Sequence, residues 1–233
     1  MKDKPIIRSN QLIIKIDAEG FSLSVFDKPN HLLSGKRIEI DIFNLEREEL
    51  HDLLKSETDL NTDKVEVIVE SYQYCIIPLD IFRLEDAVDF LLFEHKPTQT
   101  DSILYNKIPD FGIVNVFAIP NSVLDVVNKL FPNSAIEHHI SRFITDNISL
   151  QHENCIYCNT KNKKFDAVVI KNSRLTLINS FEYKTPEDFL YFVLNLYDKL
   201  SLNQQKHPVY LLNNINNQNV EKLLKTYLTT ILL

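Results

Sequence analysis

One order of strand and helix signals occurs twice in this chain, and that repetition restricts the fold more than any other feature. Residues 12–16 and 21–27 are β-favouring runs separated by Asp17-Ala18-Glu19-Gly20, where Gly20 supplies the positive φ that a hairpin turn needs. In the second run Phe21, Leu23 and Val25 alternate with Ser22 and Ser24, the period of a half-buried strand. Residues 37–42 give a third alternating strand. Asn44 then caps a helix ending near Thr58, with Leu45, Leu50, Leu53 and Leu54 on one face and Glu46, Glu48 and Glu49 in the first turns, where the helix dipole favours anions. Residues 65–69 are a fourth strand, and 72–77 continue it or form its hairpin partner.

The same order returns as strands 155–160, 164–171 and 175–181, a helix 185–200, a strand 208–212 and a helix 217–226. The starts pair as Leu12 with Cys155, Phe21 with Lys164 and Val65 with Pro208, an offset of roughly 143 residues that marks an internal duplication. The fold class expected is therefore α/β, two lobes each with a βββαβ(α) mixed sheet. The lobes are expected at 1–150 and 151–233. Between the repeats lie a helix 84–93, a polar stretch 95–101, strands 102–108 and 113–119, a helix 121–131, a strand 135–139 and a helix 141–148. They complete the first lobe and add a small inserted subdomain over about residues 95–120.

The strongest local signal starts the second-lobe helix. Thr185 caps it, Pro186 takes the first position, where a missing N–H is harmless, and Asp188 is placed to reach back to the cap. Phe189, Phe192, Val193 and Leu196 form its buried stripe, so this is a packing helix without chemistry. A net charge of −7 and a pI of 5.5 give no general attraction to nucleic acid or anionic lipid. Residues 1–10 are polar, and no apolar run approaches the twenty or so residues of a membrane span, so no membrane insertion and a cytoplasmic setting are expected. Three unevenly spaced cysteines, Cys75, Cys155 and Cys158, are expected to remain thiols.

Three meander strands followed by helix, strand and helix, present twice, resemble the actin-like ATPase superfamily, related to ribonuclease H. Phe117-Ala118-Ile119-Pro120 through Glu137-His138-His139 is similar to its pilus-assembly and secretion-platform branch. Gly20-Phe21-Ser22-Leu23-Ser24-Val25-Phe26-Asp27, together with the stretch from Asn179-Ser180-Phe181 to Phe189-Leu190-Tyr191, resembles an uncharacterised Bacteroidetes family, the domain of unknown function 3822. That resemblance extends over nearly the whole chain. It implies an actin-like fold and no established activity.

In active relatives the nucleotide lies between the lobes, its phosphates held by two turns rich in Asp, Gly and Thr, because only a bare backbone can bring its N–H groups close to phosphate. The first turn here keeps Asp17 and Gly20 but places Glu19 where phosphate charge would come. The second, Asn159-Thr160-Lys161-Asn162-Lys163, has neither glycine nor aspartate, and the adenosine-side loop reads Leu211-Leu212-Asn213-Asn214-Ile215-Asn216. The chain has only three glycines, Gly20, Gly35 and Gly112, so no second cradle is expected. ATP hydrolysis is not expected, nor any cofactor or catalytic residue. A surviving ligand would use Asp17, Glu19, Gly20, Asn159, Lys161, Asn213 and Asn214, leaning on the first lobe.

Three further patterns carry little chemistry. Cys155-Ile156-Tyr157-Cys158 is a CxxC near His138, His139 and His152, but on a strand residues three apart point to opposite faces, so no metal site is expected. By the same rule His138 and His139 diverge. Asp17 and Glu70 could be two carboxylates of a ribonuclease H-like nuclease, but no third joins them. Phe181, Tyr183, Tyr191 and Tyr197, with the tail Tyr227 to Leu233, offer an apolar surface that either packs on the core or meets a partner. The expectation is a non-catalytic interaction or scaffold protein with an unidentified protein partner, a homodimer being one form open to it. The alternative is a residual nucleotide- or ligand-binding protein using the inter-lobe cleft.

Overall fold

The structure, a computed structural model, describes residues 11–28, 31–58, 62, 64–161, 163–212 and 218–233. Chain contacts divide it into two compact units, Met1–Arg142 and Phe143–Leu233.

The first unit opens with a meander of β1 (Gln11–Asp17), β2 (Gly20–Lys28) and β3 (His31–Glu39). Leu12, Ile14 and Ile16 on β1 are buried while Lys15 is exposed, so a period-two pattern sets which face meets the core. The third strand begins at His31, well before the expected residue 37, and stops at Glu39. Its side chains are exposed apart from partial cover at Ile38, so backbone pairing to β2 defines it and no apolar alternation announces it. Ile42, expected at that strand's end, is instead fully buried in a 3-10 turn, Ile42–Asn44.

That turn also displaces the expected cap. Helix α1 (Arg47–Glu57) starts after Glu46, whose backbone N–H donates to Glu49 Oε2 at 3.3 Å, while Asn44 Nδ2 donates to Asp41 Oδ2 at 2.8 Å. Leu50 and Leu54 bury its apolar stripe. Strand β4 (Lys64–Val69) then pairs parallel with β1.

Residues 72–77 neither continue β4 nor pair with it. From Tyr74 on they form β5 (Tyr74–Pro78), which lies with β6 (Asp101–Ile108) and β7 (Ile113–Pro120) in a separate antiparallel sheet of order β5-β7-β6. The separate sheet thus spans Tyr74 to Pro120, more than the insertion expected over 95–120. Its central strand, β7, is buried on both faces up to Ile119. Helix α2 (Ala87–Glu94) covers one face, where Ala87 and Leu91 join Cys75, Ile77, Val114 and Val116 in a small core. After α3 (Asn121–Leu130), strand β8 (Ala135–His138) returns to pair parallel with β4, completing the order β3-β2-β1-β4-β8.

The division between units falls inside α4 (His139–Asn147), ahead of the boundary expected near residue 150. The second unit contains β9 (Asn154–Thr160), β10 (Lys164–Lys171), β11 (Arg174–Glu182), α5 (Pro186–Lys199), β12 (Val209–Leu212), α6 (Gln218–Tyr227) and β13 (Thr230–Leu232). Its sheet runs β11-β10-β9-β12-β13, the order of the first sheet. The capping box of α5 is present, with Asp188 N–H donating to Thr185 Oγ1 at 3.1 Å and Thr185 N–H to Asp188 Oδ2 at 3.0 Å. Lys184 N–H donates to the same Asp188 Oδ2 at 3.0 Å, and the backbone N–H bonds from Lys184 and Thr185 hold the Asp188 carboxyl below its ordinary range. Phe165, Phe189, Val193, Tyr197 and Leu224 centre the core between sheet and helices. The apolar tail forms β13, paired parallel with β12, so its backbone is bound while Ile231 and Leu232 remain exposed.

The duplication is one of hydrogen-bond register. Leu12 faces Val65 in the first unit and Ile156 faces Val209 in the second, each 144 residues on (156 − 12 and 209 − 65). Lys15 facing Ile68 and Asn159 facing Leu212 keep the same offset.

Candidate functional site

The first candidate turn lies at the carboxyl end of β1, the end of a parallel pair where α/β proteins place ligands. Asp17, Glu19 and Gly20 are brought together there, and their hydrogen bonds point inward. Arg37, on β3, donates Nη1 to Asp17 Oδ2 and Nη2 to Asp17 Oδ1, both at 2.7 Å. Glu19 N–H donates to Asp17 Oδ1 at 2.9 Å, and Glu19 C=O accepts Ile40 N–H at 3.0 Å. Bonding to Asp17 raises the Arg37 pKa, with the Coulomb attraction of Asp17, Glu19 and Glu39 adding to it against the effect of burial. Both Asp17 oxygens are thus held by Arg37, and the Glu19 N–H of the turn is directed back at the same carboxylate.

Gly20 also serves the strands. Its φ is 141°, and a Cβ there would sit 1.9 Å from the Ile38 carbonyl oxygen. The glycine that looked like a remnant of phosphate binding is required by the close approach of β2 to β3.

The second turn is built differently. Asn159, at the end of β9, is buried, and Thr160 Oγ1 donates to Leu212 C=O at 2.9 Å. Lys161 N–H donates to Lys164 C=O at 2.9 Å, and Lys163, with φ 59°, accepts Tyr183 N–H on its carbonyl. Lys161 Nζ lies 3.0 Å from Asp166 Oδ2, and Ser180 Oγ donates to Asp166 Oδ1 at 2.7 Å. Asp166 is fully buried, so Lys161 compensates a carboxylate in a low-dielectric site. Asn213 and Asn214 lie outside the described residues.

Arg37, Asp166 and Ser180 were missed in the sequence. Asp166 carries a faint signal, an acid at a buried position of the run Lys164-Phe165-Asp166-Ala167-Val168, but its partner is visible only once the strands are in register.

His138 and His139 do not diverge. The strand stops at His138 and α4 begins at His139, so period-two alternation ends between them and the ring centroids lie 4.3 Å apart. His138 Nε2 donates to Ser71 C=O at 2.8 Å, while Nδ1 accepts from Asn115 Nδ2 at 2.8 Å and Ile140 N–H at 3.3 Å. Tyr74 and Phe117 pack against the same ring. This tautomer-fixed imidazole joins β8 to the separate sheet as structure.

The cysteines do diverge. Cys158 belongs to the core cluster on one face of β9 with Ile156, and Cys155 points to the other; all three thiols are free and buried. Desolvation pushes Cys75 and Cys155 up to about 11 and Cys158 higher still, the opposite of an activated nucleophile. Among the described residues no group of three His, Cys, Asp or Glu side chains is arranged to hold a metal. Glu70 accepts Tyr72 Oη–H at 2.5 Å at the end of β4. Of the four aromatics expected on the surface, Tyr183 and Tyr197 are buried in the core cluster and Phe181 packs on it, Phe181 and Tyr183 against Phe165; of the four only Tyr191 is exposed.

A hollow of about 470 Å³ lies at the opposite, amino end of β4 and β8, lined by Lys64, Glu66, Phe131, Pro132 and Glu137. Arg142 Nη1 bonds Glu66 at 2.8 Å and Glu137 at 3.2 Å. Burial would raise the Glu66 pKa, but the bond from Lys64 and the charge of Arg142 outweigh it and hold it down. The hollow is structural ion pairing, far along the strands from Asp17.

Known structures place this architecture. A Bacteroides thetaiotaomicron protein with an actin-like ATPase fold and unknown function aligns at 22% identity over 100% of this chain and 94% of its own, with a TM-score of 0.77. The ethanolamine utilization protein EutJ from Carboxydothermus hydrogenoformans aligns at 8% identity over 98% of this chain and 86% of its own, with a TM-score of 0.51. A PilM–PilN type IV pilus biogenesis complex aligns at 10% identity over 98% and 89%, with a TM-score of 0.46. No curated protein matches the sequence. The fold is that of the actin-like ATPases, and no helix among the described residues is long and apolar enough to cross a membrane. The model of the family described as Protein of unknown function (DUF3822) matches residues 2–231, and the chain belongs to that family.

Proposed function

We propose that this protein is a non-catalytic interaction protein, an adaptor or scaffold that keeps the actin-like framework and has given up its phosphate chemistry. The observation that carries this reading is the bidentate grip of Arg37 on Asp17, which occupies the one acidic side chain that the first turn retains from a nucleotide site. The second turn supports it, because Lys161 is engaged by the buried Asp166. A cytoplasmic setting belongs to the same proposal, supported by three free buried thiols.

Isothermal titration of the full chain with ATP and Mg²⁺ tests the reading. A silent titration is expected. Micromolar binding that disappears in Asp17→Ala would overturn it and establish a residual nucleotide-binding protein in its place.

A further inference from the structure

Helix α2 departs from the pattern of a surface helix. Such a helix shows an apolar stripe to its sheet and polar residues to water. The inward stripe is present, since Ala87 and Leu91 are buried on the three-stranded sheet. The outward side is apolar as well. Val88 and Leu92, four residues apart and hence on one face, are 46% and 52% exposed, and Phe93 at the end is 93% exposed; Leu84, in the 3-10 turn Leu84–Asp86 that leads into the helix, is 61% exposed. Ile81 extends the surface at 55% exposure. An exposed apolar patch on a helix that already buries its inward stripe marks a surface made to be covered.

The charges beside this stripe are almost all of one sign. Glu85 and Asp89 run alongside it one residue on, with Asp80, Asp86 and Glu94 around them; Arg83 is the one cation between residues 80 and 94. Lys107 lies outside that segment, its Nζ 5.9 Å from the centroid of the Tyr105 ring, which packs on Phe82. This pattern decides among occupants. A second copy meeting the patch across a two-fold axis would bring this mostly acidic rim against the same rim, and an anionic bilayer would repel it. A partner with an apolar stripe flanked by Lys and Arg satisfies both stripe and rim, the apolar contact supplying affinity and the charges orientation.

We propose that the outer face of α2, with the turn that leads into it, is the docking surface of this protein, and that it takes a basic amphipathic α-helix of another protein through Leu84, Val88, Leu92 and Phe93. This rests on the interaction reading and names the chemistry of the partner.

Fluorescence anisotropy of the full chain with labelled synthetic helices of about 18 residues, long enough to be helical on binding, provides the test. One helix carries a leucine stripe flanked by Lys and Arg, one the same stripe flanked by Glu, and one the basic residues with the stripe scrambled. Only the first is expected to bind, several-fold more weakly at high salt, and Val88→Ser with Leu92→Ser should lower its affinity by about tenfold or more. Circular dichroism should show that variant melting like the parent, because both side chains are exposed. Equal binding of the basic-striped and scrambled helices, equal binding of the Glu-flanked helix, or no loss in the variant would overturn the proposal. So would self-association in sedimentation velocity, or binding to phosphatidylglycerol vesicles, that the same substitutions abolish. Failure here beside a silent ATP titration removes this surface alone, whereas ATP binding removes the interaction reading itself.

Discussion

The two meanders place an ion pair and a serine at the same three positions and deal them out differently. In the first unit the turn position is Asp17, the position paired across to the third strand is Ser22, and the third-strand position is Arg37. In the second unit those positions are Lys161, Asp166 and Ser180. The turn changes sign, and the compensating charge moves from the third strand to the middle one. What persists is neutrality at the turn, whereas an ATPase keeps its turns open for the charge of phosphate and metal. The difference lies in depth: Asp17 and Arg37 keep 25% and 34% of their side-chain surface, while Asp166 has none.

The largest expected effect falls on the backbone of the first meander. Gly20→Ala puts a Cβ into the Ile38 carbonyl and an L-residue at φ 141°, and neither can relax without opening the pairing of β2 with β3. A loss of about 3 kcal/mol or more is expected in chemical denaturation. The facing residue of the second turn is Lys164, with no such demand, and Lys164→Ala should cost well under about 1 kcal/mol. A mild Gly20→Ala would end the claim that strand packing holds this glycine.

Removing the cation at the second turn comes next. Lys161→Ala removes the cation 3.0 Å from the fully buried Asp166 carboxylate, and about 3 kcal/mol should be lost. Lys161→Ala in an Asp166→Asn background should cost much less, because the charge needing compensation is gone. A double-mutant cycle read by urea denaturation measures that coupling, and additivity would show that the pair is not what stabilises the turn.

These pairs show where sequence reading stops. The helix α5 was legible because its cap, proline and stripe are local and lie within a dozen residues. Strands β9 and β10 were legible because burial imposes apolar runs on them. Strand β3 is legible only in its last three residues, and the tail strand β13 reads only as an apolar stretch that packs on the core or meets a partner, because exposed edge strands are made by backbone pairing with distant residues. The same applies to charge: nothing near Asp17 announces Arg37, which reaches it through the register of β2 against β3. The second turn could be read as lacking glycine, but neither turn as internally neutralised.

A smaller effect of opposite sign belongs to Lys163, held at φ 59° in a turn where the first meander has no positive-φ residue before Gly20. Lys163→Gly relieves left-handed strain of roughly 1 kcal/mol, part of it offset by the freedom glycine gains in the unfolded chain. The net should be a gain of about 0.5 kcal/mol, visible as a rise of a degree or two in the melting midpoint. A loss would mean that the lysine side chain contributes more than its backbone strains.

The last expected effect, also small, is at the pair that carries the functional reading. Arg37→Ala breaks two good hydrogen bonds, but both partners keep access to water, so the Asp17 carboxylate can be rehydrated and the loss should be about 1 kcal/mol or less, shrinking as salt rises. Its value lies in the second measurement made on the same variant. With Arg37 gone Asp17 is available, yet Glu19 N–H still donates to it and Gly20 remains committed to the strands, so calorimetry with ATP and Mg²⁺ should stay silent. Binding that appears in Arg37→Ala and vanishes on adding Asp17→Ala would show that one arginine closes an otherwise competent turn. The two meanders would then differ in kind, the first a blocked phosphate site and the second a rebuilt one.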